Sequence, residues 1–232
     1  MDAQRSLNQG HSTAHSSLAG FSLPGWIYRD ADFLEAEKER IFAASWQIVC
    51  HLSDIPHPGD YHTLEFLGEP LVTVRGSGHE VKAFFNVCRH RAARLLDGAS
   101  GHCAGRIVCP YHAWTYDLDG RLAAVPHRKE FADFSPDLYA LKPVESEVYK
   151  GFVFVRLKPG LPSVADMLAP YESELAAYRL EELQPIGRLT LRTRHVNWKN
   201  VTDNYSDAMH ITVAHPGLTR LFGQSYGVDA QP

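Results

Sequence analysis

The run CRHRAARLLDGASGHCAGRIVCPYH, from Cys88 to His112, carries two short pairs of potential metal ligands. The first pair is Cys88-Arg89-His90, the second is Cys109-Pro110-Tyr111-His112, and eighteen residues lie between His90 and Cys109. Each pair places one thiolate and one imidazole at the tip of a tight loop. Two such loops that face each other would supply two sulfur and two nitrogen ligands.

Two kinds of metal site use two cysteines and two histidines. One is a single tetrahedral zinc ion. The other is a Rieske [2Fe–2S] centre, in which two thiolates hold one iron and two imidazoles hold the other. Zinc modules usually join Cys to Cys and His to His, because each pair comes from one hairpin or one helix. Here both pairs are mixed, and mixed pairs let each loop reach both irons, so the spacing favours the cluster. A zinc site and a set of unconnected side chains remain the alternatives.

Composition narrows the class of protein. The 232 residues are 44% hydrophobic and 22% charged, which is ordinary for a globular protein. A net charge of −4 gives no electrostatic footprint for nucleic acid or an anionic membrane. The first twenty residues lack the apolar core of a signal peptide, and no stretch approaches the roughly 20 apolar residues of a membrane span. We therefore predict a cytoplasmic protein that binds neither nucleic acid nor membranes.

Two cysteines lie outside the ligand pairs. Cys50 ends the apolar run WQIVC and is predicted to be a buried thiol. Cys103 lies between the two pairs, beside His102, and we expect a loop thiol that is not a ligand.

Hydrophobic periodicity predicts an α+β fold in four parts. Residues 1–22 are polar, without periodicity, and are predicted to be a mobile leader. Residues 23–45 contain a helix from the N-cap Asp30 to about Ala44. Residues 46–157 are short antiparallel strands cut by turns, with the ligand loops at strand ends. Residues 158–232 begin a second domain, with a capped helical stretch from Ser163 and a first strand at Leu189–Val196.

A second histidine motif lies in the run NWKNVTDNYSDAMHITVAHPG, residues 197–217. On a helix Asp207 and His210 share one face. His215 lies about 140° around from His210, so it can join them only if the helix bends or ends, and Pro216 is a plausible stop. Two imidazoles and a carboxylate form the facial triad of non-haem iron(II) oxygenases. Alone, two histidines at this spacing more often serve packing or surface roles.

The run NVCRHRAARLLDG, followed by RIVCPYHAWTYDLDGRL, resembles the Rieske segment of the oxygenase (alpha) subunits of Rieske non-haem iron oxygenases, of the aromatic-ring-hydroxylating type. By that resemblance Cys88 and Cys109 hold one iron, His90 and His112 hold the other, and Trp114 and Tyr111 pack over the cluster. The second motif matches the family at Asn197, Trp198, Lys199, Asp203, Asn204, Tyr205, Asp207, His210 and His215. Met209 departs from the family, which usually has Tyr there.

The resemblance also implies roles for the second motif. His210 and His215 are iron ligands, and the Asp207 carboxylate bridges a cluster histidine of a neighbouring subunit and an iron histidine of its own. The implied assembly is a homotrimer whose clusters each face the next subunit's iron. The family's third iron ligand is an Asp or Glu far downstream, which we expect beyond Pro232. The sequence is therefore predicted to be a fragment, with a complete Rieske domain and the beginning of a helix-grip catalytic domain.

The activity implied is that of a terminal oxygenase. Electrons from NAD(P)H arrive through a separate flavin reductase, with or without a ferredoxin, and pass from the cluster to a mononuclear iron that activates O2. The expected reaction is hydroxylation or dihydroxylation of an aromatic ring. The alternative is oxidative removal of an N-methyl group from a betaine or quaternary amine, because LPGWIY and the first ligand run resemble the stachydrine- and betaine-demethylating branch. A rival of another class is a non-catalytic carrier similar to a Rieske ferredoxin.

Overall fold

The computed structural model describes residues 23–131, 134–187, 194–207 and 209–223. Contacts divide the chain into two compact units. The larger is Glu35–Leu191, and the other combines Met1–Leu34 with Arg192–Pro232. No helix in the described ranges is long and apolar enough to cross a lipid bilayer.

The described residues of the larger unit form ten short strands. They are β1 Gln47–His51, β2 Asp60–Phe66, β3 Glu69–Arg75, β4 Val81–Phe85, β5 Ser100–His102, β6 Arg106–Val108, β7 Thr115–Asp117, β8 Leu122–Ala124, β9 Glu145–Tyr149 and β10 Phe152–Arg156. They form three sheets, ordered β1-β10-β9, β4-β3-β2-β5 and β6-β7-β8. Every pairing within these sheets is antiparallel. Together with the helices this confirms the predicted α+β class.

Two hairpins of this unit turn in two residues. Leu67 and Gly68 join β2 to β3 with φ values of 53° and 85°. Lys150 and Gly151 join β9 to β10 with φ values of 45° and 82°. Positive φ at both central residues is the geometry of a type I′ turn, whose twist matches that of the paired strands. These turns fix the register of the sheets.

The main core of the unit lies around the two ligand loops. Its buried residues are Tyr61, Val72, Val74, Phe84, Cys88, Leu95, Cys103, Ile107, Cys109, Trp114, Tyr116, Leu118, Leu122 and Leu141. Both cysteines of the ligand pairs thus belong to the most buried part of the fold. The loops are held by packing as well as by their own hydrogen bonds.

The sheet β1-β10-β9 carries an ion pair in which the arginine is buried and the glutamate is partly exposed. Arg156 faces Glu145 across the β9–β10 ladder and donates to it from Nε at 2.8 Å and from Nη2 at 2.6 Å. The guanidinium also lies 4.3 Å from the centre of the Trp46 ring. A bidentate, stacked arginine of this kind joins both strands to the residue that precedes β1.

The helices are short. They are α1 Ala31–Glu37, α2 Val164–Leu168, α3 Glu172–Leu175, α4 Trp198–Ser206, α5 Ile211–Ala214 and α6 Pro216–Phe222. The predicted caps of the first two are confirmed. Asp30 accepts the Phe33 N–H at 2.7 Å, and the Ser163 hydroxyl accepts the Asp166 N–H at 3.0 Å. A π-helical turn, Lys38–Phe42, continues α1 towards its predicted end.

Two predicted segments lie wholly or partly outside the described residues. The leader 1–22 is one of them. Of the strand predicted at Leu189–Val196, only residues 194–196 are described, and they are not in a strand.

Candidate metal centres

The first ligand loop follows β4 and folds back on itself at Cys88. The Cys88 N–H donates to the Ala93 carbonyl at 2.8 Å, and the Ala92 N–H donates to the Cys88 carbonyl at 3.0 Å. Ala92 has a φ of 55°, which reverses the chain direction. The Cys88 side chain is 2% exposed at the base of this loop.

The second ligand loop follows β6 and has the same backbone frame. The Cys109 N–H donates to the Trp114 carbonyl at 2.8 Å, and the Ala113 N–H donates to the Cys109 carbonyl at 3.0 Å. Ala113 has a φ of 54°, and Cys109 is 2% exposed. The two cysteines therefore occupy equivalent positions in two loops that repeat each other bond for bond.

The two imidazoles of the loops lie together. The ring centroids of His90 and His112 are 4.7 Å apart, with an interplanar angle of 70°. The Nδ1 atoms of both rings are buried and have no hydrogen-bond partner. Burial and the neighbouring His112 hold the pKa of His90 below its usual value, which favours the neutral, ligating form.

The two thiols also interact. Burial raises the pKa of the Cys88 thiol, Tyr116 opposes this rise, and the neighbouring Cys109 thiol adds to it. In the described ranges, no three side chains of Cys, His, Asp or Glu form a group that fits one metal ion. The donors lie instead as a sulfur pair and a nitrogen pair. Unpartnered Nδ1 atoms opposite buried thiols fit a [2Fe–2S] cluster held through two sulfurs and two nitrogens.

Tyr116 on β7 is part of this site, and the sequence analysis missed it. Its hydroxyl accepts the Arg89 N–H at 3.0 Å and lies 3.3 Å from the Cys88 sulfur. Because the oxygen already accepts from Arg89, its own proton is free to be donated to the sulfur. The sequence signal was the recurrence of large apolar residues at every second position, Trp114, Tyr116 and Leu118, which places them on one face of a strand. The structure buries all three.

Aromatic rings cover the imidazole side of the site. Trp114, which is 2% exposed, stacks on His90. The rings of Phe131, Phe134 and Tyr139 surround the indole, with centroids 5.4 to 6.1 Å from it. Tyr111 lies 3.8 Å from the His112 ring and remains 61% exposed.

A cleft of about 520 Å³ opens beside the first loop. The residues that line it are Glu69, Phe85, Val87, Cys88, Arg89, His90, Arg91, Ala92 and Lys142. Three of them are basic and one is acidic, so the wall of the cleft next to the loop is positively charged.

Both cysteines outside the ligand pairs are buried. Cys50 is 6% exposed, and burial raises its pKa to about 12. Cys103 is buried and donates its S–H to the Gly59 carbonyl at 3.1 Å.

The second histidine motif differs from the prediction. Asp207 and His210 do not share a helix face, because α4 ends at Ser206 and Asp207 is its extended C-cap. Asp207 Oδ1 accepts the Met209 N–H at 2.8 Å, which turns the chain. His210 then precedes α5 as its N-cap residue. The pair is brought together by this turn, with Asp207 Oδ2 3.4 Å from His210 Nδ1.

His215 joins them because the helix ends. It is the C-cap of α5, and Pro216 directly after it begins α6, so Pro216 both stops one helix and starts the next. The ring centroids of His210 and His215 are 5.2 Å apart. Nδ1 of His210 is buried without a hydrogen bond, although the Asp207 carboxylate lies close to it. Two imidazoles beside one carboxylate fit part of a mononuclear iron site.

The fold and the paired loops define a Rieske iron–sulfur protein, and residues 45–142 match the Rieske [2Fe-2S] domain family. More particularly, the chain is similar to the oxygenase subunits of Rieske oxygenases, which confirms the resemblance predicted from the sequence. Members of this family use a [2Fe–2S] cluster and a mononuclear iron.

Three known proteins show how far this likeness extends. The carnitine monooxygenase oxygenase subunit of Escherichia coli (strain K12) is 41% identical over 201 residues, which are 86% of this chain and 53% of that protein. The quaternary ammonium Rieske monooxygenase CntA, solved with its substrate L-carnitine, is 36% identical with a TM-score of 0.79 over 86% of this chain and 56% of that one. Naphthalene 1,2-dioxygenase from Rhodococcus sp., bound to indole, is 29% identical with a TM-score of 0.77 over 88% of this chain and 48% of that one. The chain spans about half the length of the proteins it matches.

Proposed function

We propose that the protein is the terminal oxygenase component of a Rieske system, in which Cys88 and Cys109 hold one iron of the cluster and His90 and His112 hold the other. The observation that carries this proposal is the repeated loop frame. It sets two buried thiols and two imidazoles as pairs, with both Nδ1 atoms unpartnered. When bound, the cluster supplies single electrons and the mononuclear iron supplies the oxygen chemistry.

His210 and His215 are the proposed ligands of the mononuclear iron. Asp207 orients the His210 ring, because its carboxylate faces Nδ1 and leaves Nε2 free to bind a metal. The same carboxylate has its second oxygen fixed by the Met209 N–H. The Met209 N–H therefore holds the Asp207 carboxylate in place beside the His210 ring.

The proposed reaction is oxidation of an N-methyl group of a quaternary ammonium compound of the betaine type. The higher identity to the carnitine monooxygenase subunit supports this substrate class. The second candidate is hydroxylation of an aromatic ring, which the likeness to naphthalene 1,2-dioxygenase supports at lower identity.

The proposed partner is a flavin reductase that takes electrons from NAD(P)H, with or without a ferredoxin, and the proposed assembly is a cytoplasmic homotrimer. The basic cleft beside the first loop supports docking of a negatively charged electron donor, because Arg89, Arg91 and Lys142 line it next to Cys88.

Iron analysis and product analysis test the proposal together. The two cluster irons plus one mononuclear iron per chain, with formaldehyde released from carnitine or glycine betaine in the presence of a reductase, are the expected results. Hydroxylated naphthalene in place of formaldehyde would establish the second candidate. Only the two cluster irons, with no oxygen uptake on any substrate, would identify an electron carrier and overturn the proposal.

A further inference from the structure

Tyr28 and Asp203 are joined across 175 residues of sequence. The Tyr28 hydroxyl donates to Asp203 Oδ2 at 2.6 Å, a short bond to a carboxylate. This bond raises the pKa of Tyr28. Tyr28 ends a 3₁₀ turn at Gly25–Tyr28, and Asp203 lies on α4, within the same compact unit.

Lys199, one helical turn before Asp203, makes a second contact with the N-terminal segment. The Lys199 ammonium lies 5.8 Å from the centre of the Tyr28 ring, 5.3 Å from that of Phe33 and 5.4 Å from that of Trp198. Lys199 is only 7% exposed, so its cation rests among aromatic faces away from water. Lys199 and Asp203 are four residues apart and share one face of α4. That face is fixed to the N-terminal segment at two points.

Asp203 is also connected to the second metal motif. Its backbone carbonyl accepts the Asp207 N–H at 3.0 Å, which is the last bond of α4. The Asp207 carboxylate in turn receives the Met209 N–H and faces His210 Nδ1. A continuous path of contacts therefore leads from the Tyr28 hydroxyl to the His210 ring.

We propose that Tyr28 is a positioning residue: its bond to Asp203 fixes the end of α4 and thereby the orientation of Asp207 and His210 towards the mononuclear metal. This inference rests on the proposed function, since it takes His210 and His215 to be metal ligands. Asp203 and Asp207 lie between Tyr28 and His210 on this path, so Tyr28 acts only through the helix.

Two substitutions test this path. Tyr28→Phe removes the hydroxyl and keeps the ring beside Lys199. Asp203→Ala removes the carboxylate and keeps the backbone carbonyl that accepts from Asp207. The matched control is Tyr149→Phe, which removes an equivalent bond, from Tyr149 Oη to Glu172 at 2.5 Å, in the other unit. His210→Ala serves as the reference for a lost ligand.

The readout is cobalt(II) binding to purified protein that keeps its cluster but has been stripped of mononuclear metal. Both path variants are expected to bind cobalt about tenfold more weakly, at the lower end of what supporting residues contribute. Their cluster spectrum and thermal unfolding should match the wild type, and Tyr149→Phe should bind normally. A second readout is the maximal rate of reoxidation of the reduced cluster in the presence of O2 and substrate, which should fall while the KM for substrate stays unchanged.

The outcomes separate the claim that His210 and His215 bind the metal from the claim that Tyr28 positions them. If His210→Ala loses cobalt binding while Tyr28→Phe and Asp203→Ala bind as the wild type does, the metal site stands and the role of Tyr28 is refuted. If His210→Ala binds cobalt normally, the proposed metal site itself fails.

Discussion

The Trp114 indole lies parallel to the His90 imidazole, with ring centroids 4.7 Å apart and an interplanar angle of 4°. An indole that is 2% exposed and surrounded by further rings keeps water from that side of the imidazole. The apolar shell of an iron–sulfur site controls its solvent access and reduction potential. The protein thus sets the environment of the proposed cluster from two sides, with rings over the imidazoles and a hydroxyl beside a thiol.

Tyr116→Phe should lower the reduction potential of the cluster by tens of millivolts, where about 59 mV is a tenfold change in a one-electron equilibrium. The reason is the loss of the hydroxyl that lies 3.3 Å from the Cys88 sulfur. A ligating thiolate can only accept from this hydroxyl, and hydrogen bonds to the sulfurs help set the potential. Protein-film voltammetry measures the change. Tyr61→Phe, which removes a bond to the Asp97 carbonyl, is the control and should leave the potential in place. If Tyr116→Phe has the same reduction potential as the wild type, the contact between Tyr116 and the Cys88 sulfur does not tune the cluster.

His112→Cys should change the visible spectrum and lower the potential of the cluster. A thiolate at this position replaces a neutral imidazole, and all-cysteine clusters have lower potentials than Rieske centres. Absorption and electron paramagnetic resonance spectra of the reduced protein report the change. His57→Cys places a thiol at an exposed position outside the loops and should leave both spectra as they are. An unaltered spectrum in His112→Cys would remove His112 from the ligand set.

Asp207→Ala should keep both metals when iron is supplied in excess, bind the mononuclear metal at least as weakly as Tyr28→Phe does, and reduce turnover by about 100-fold or more, the upper end of the effect of groups that orient metal ligands. The His210 ring would lose the carboxylate that faces its Nδ1. Iron content and substrate-dependent oxygen uptake are the two measurements. Asp32→Ala, at an exposed position of α1, should retain activity. Wild-type turnover by Asp207→Ala would show that the carboxylate has no part in the reaction.

Arg91→Glu should raise the KM for the reductase about tenfold and leave the maximal rate unchanged. Arg91 is exposed in the cleft beside the cluster loop, and charges at the rim of an interface act mainly on association. Steady-state assays over a range of reductase concentrations and two salt concentrations measure this effect. Lys82→Glu makes the same charge change outside the cleft and should behave as the wild type. If the two variants cannot be told apart, docking at the cleft is ruled out.

Arg156→Met should reduce the free energy of unfolding of the larger unit by about 2 kcal/mol, between the values for exposed and buried ion pairs. The Arg156 side chain is 8% exposed and Glu145 is 44% exposed. The bond to Arg156 holds the pKa of Glu145 below its usual range. Its contribution to stability is therefore complete at neutral pH and is lost as the pH falls through the folded-state pKa. Urea unfolding at pH 7 and at a pH below the lowered pKa of Glu145 tests both statements.

The matched control for that prediction is Lys158→Met. It breaks the exposed pair with Glu39, whose two side chains are 51% and 68% exposed. A much smaller loss than in Arg156→Met is expected there, because exposed ion pairs contribute little to stability. Equal losses in the two variants would contradict the special role of Arg156.

The ligand loops could be predicted from the sequence because their chemistry is local. Cys88 and His90 are two residues apart and Cys109 and His112 three, and each pair directly follows a strand that the apolar pattern marks. By contrast, β5 was not predicted. Its residues Ser100–His102 are short and polar, and they form a strand only because they pair with β2, with Asp60 opposite His102. Such an edge strand depends on its partner and not on its own propensity.

The second motif shows where periodicity misleads. The spacing of Asp207 and His210 suggested one helix face, yet the Asp207 side chain binds the Met209 N–H and ends the helix. Short polar side chains compete with helical hydrogen bonds in this way, and the hydrophobic pattern does not record it. The contact of Tyr28 with Asp203 was equally invisible, because no sequence pattern connects residues so far apart.

Ala92 and Ala113 place backbone strain at the tip of each ligand loop. An alanine with positive φ costs roughly 1 to 2 kcal/mol, and each loop carries one at the same place in its frame. These two tips should therefore be among the first parts of the domain to open in local unfolding, which would expose the cysteine thiols that the packed core keeps from solvent.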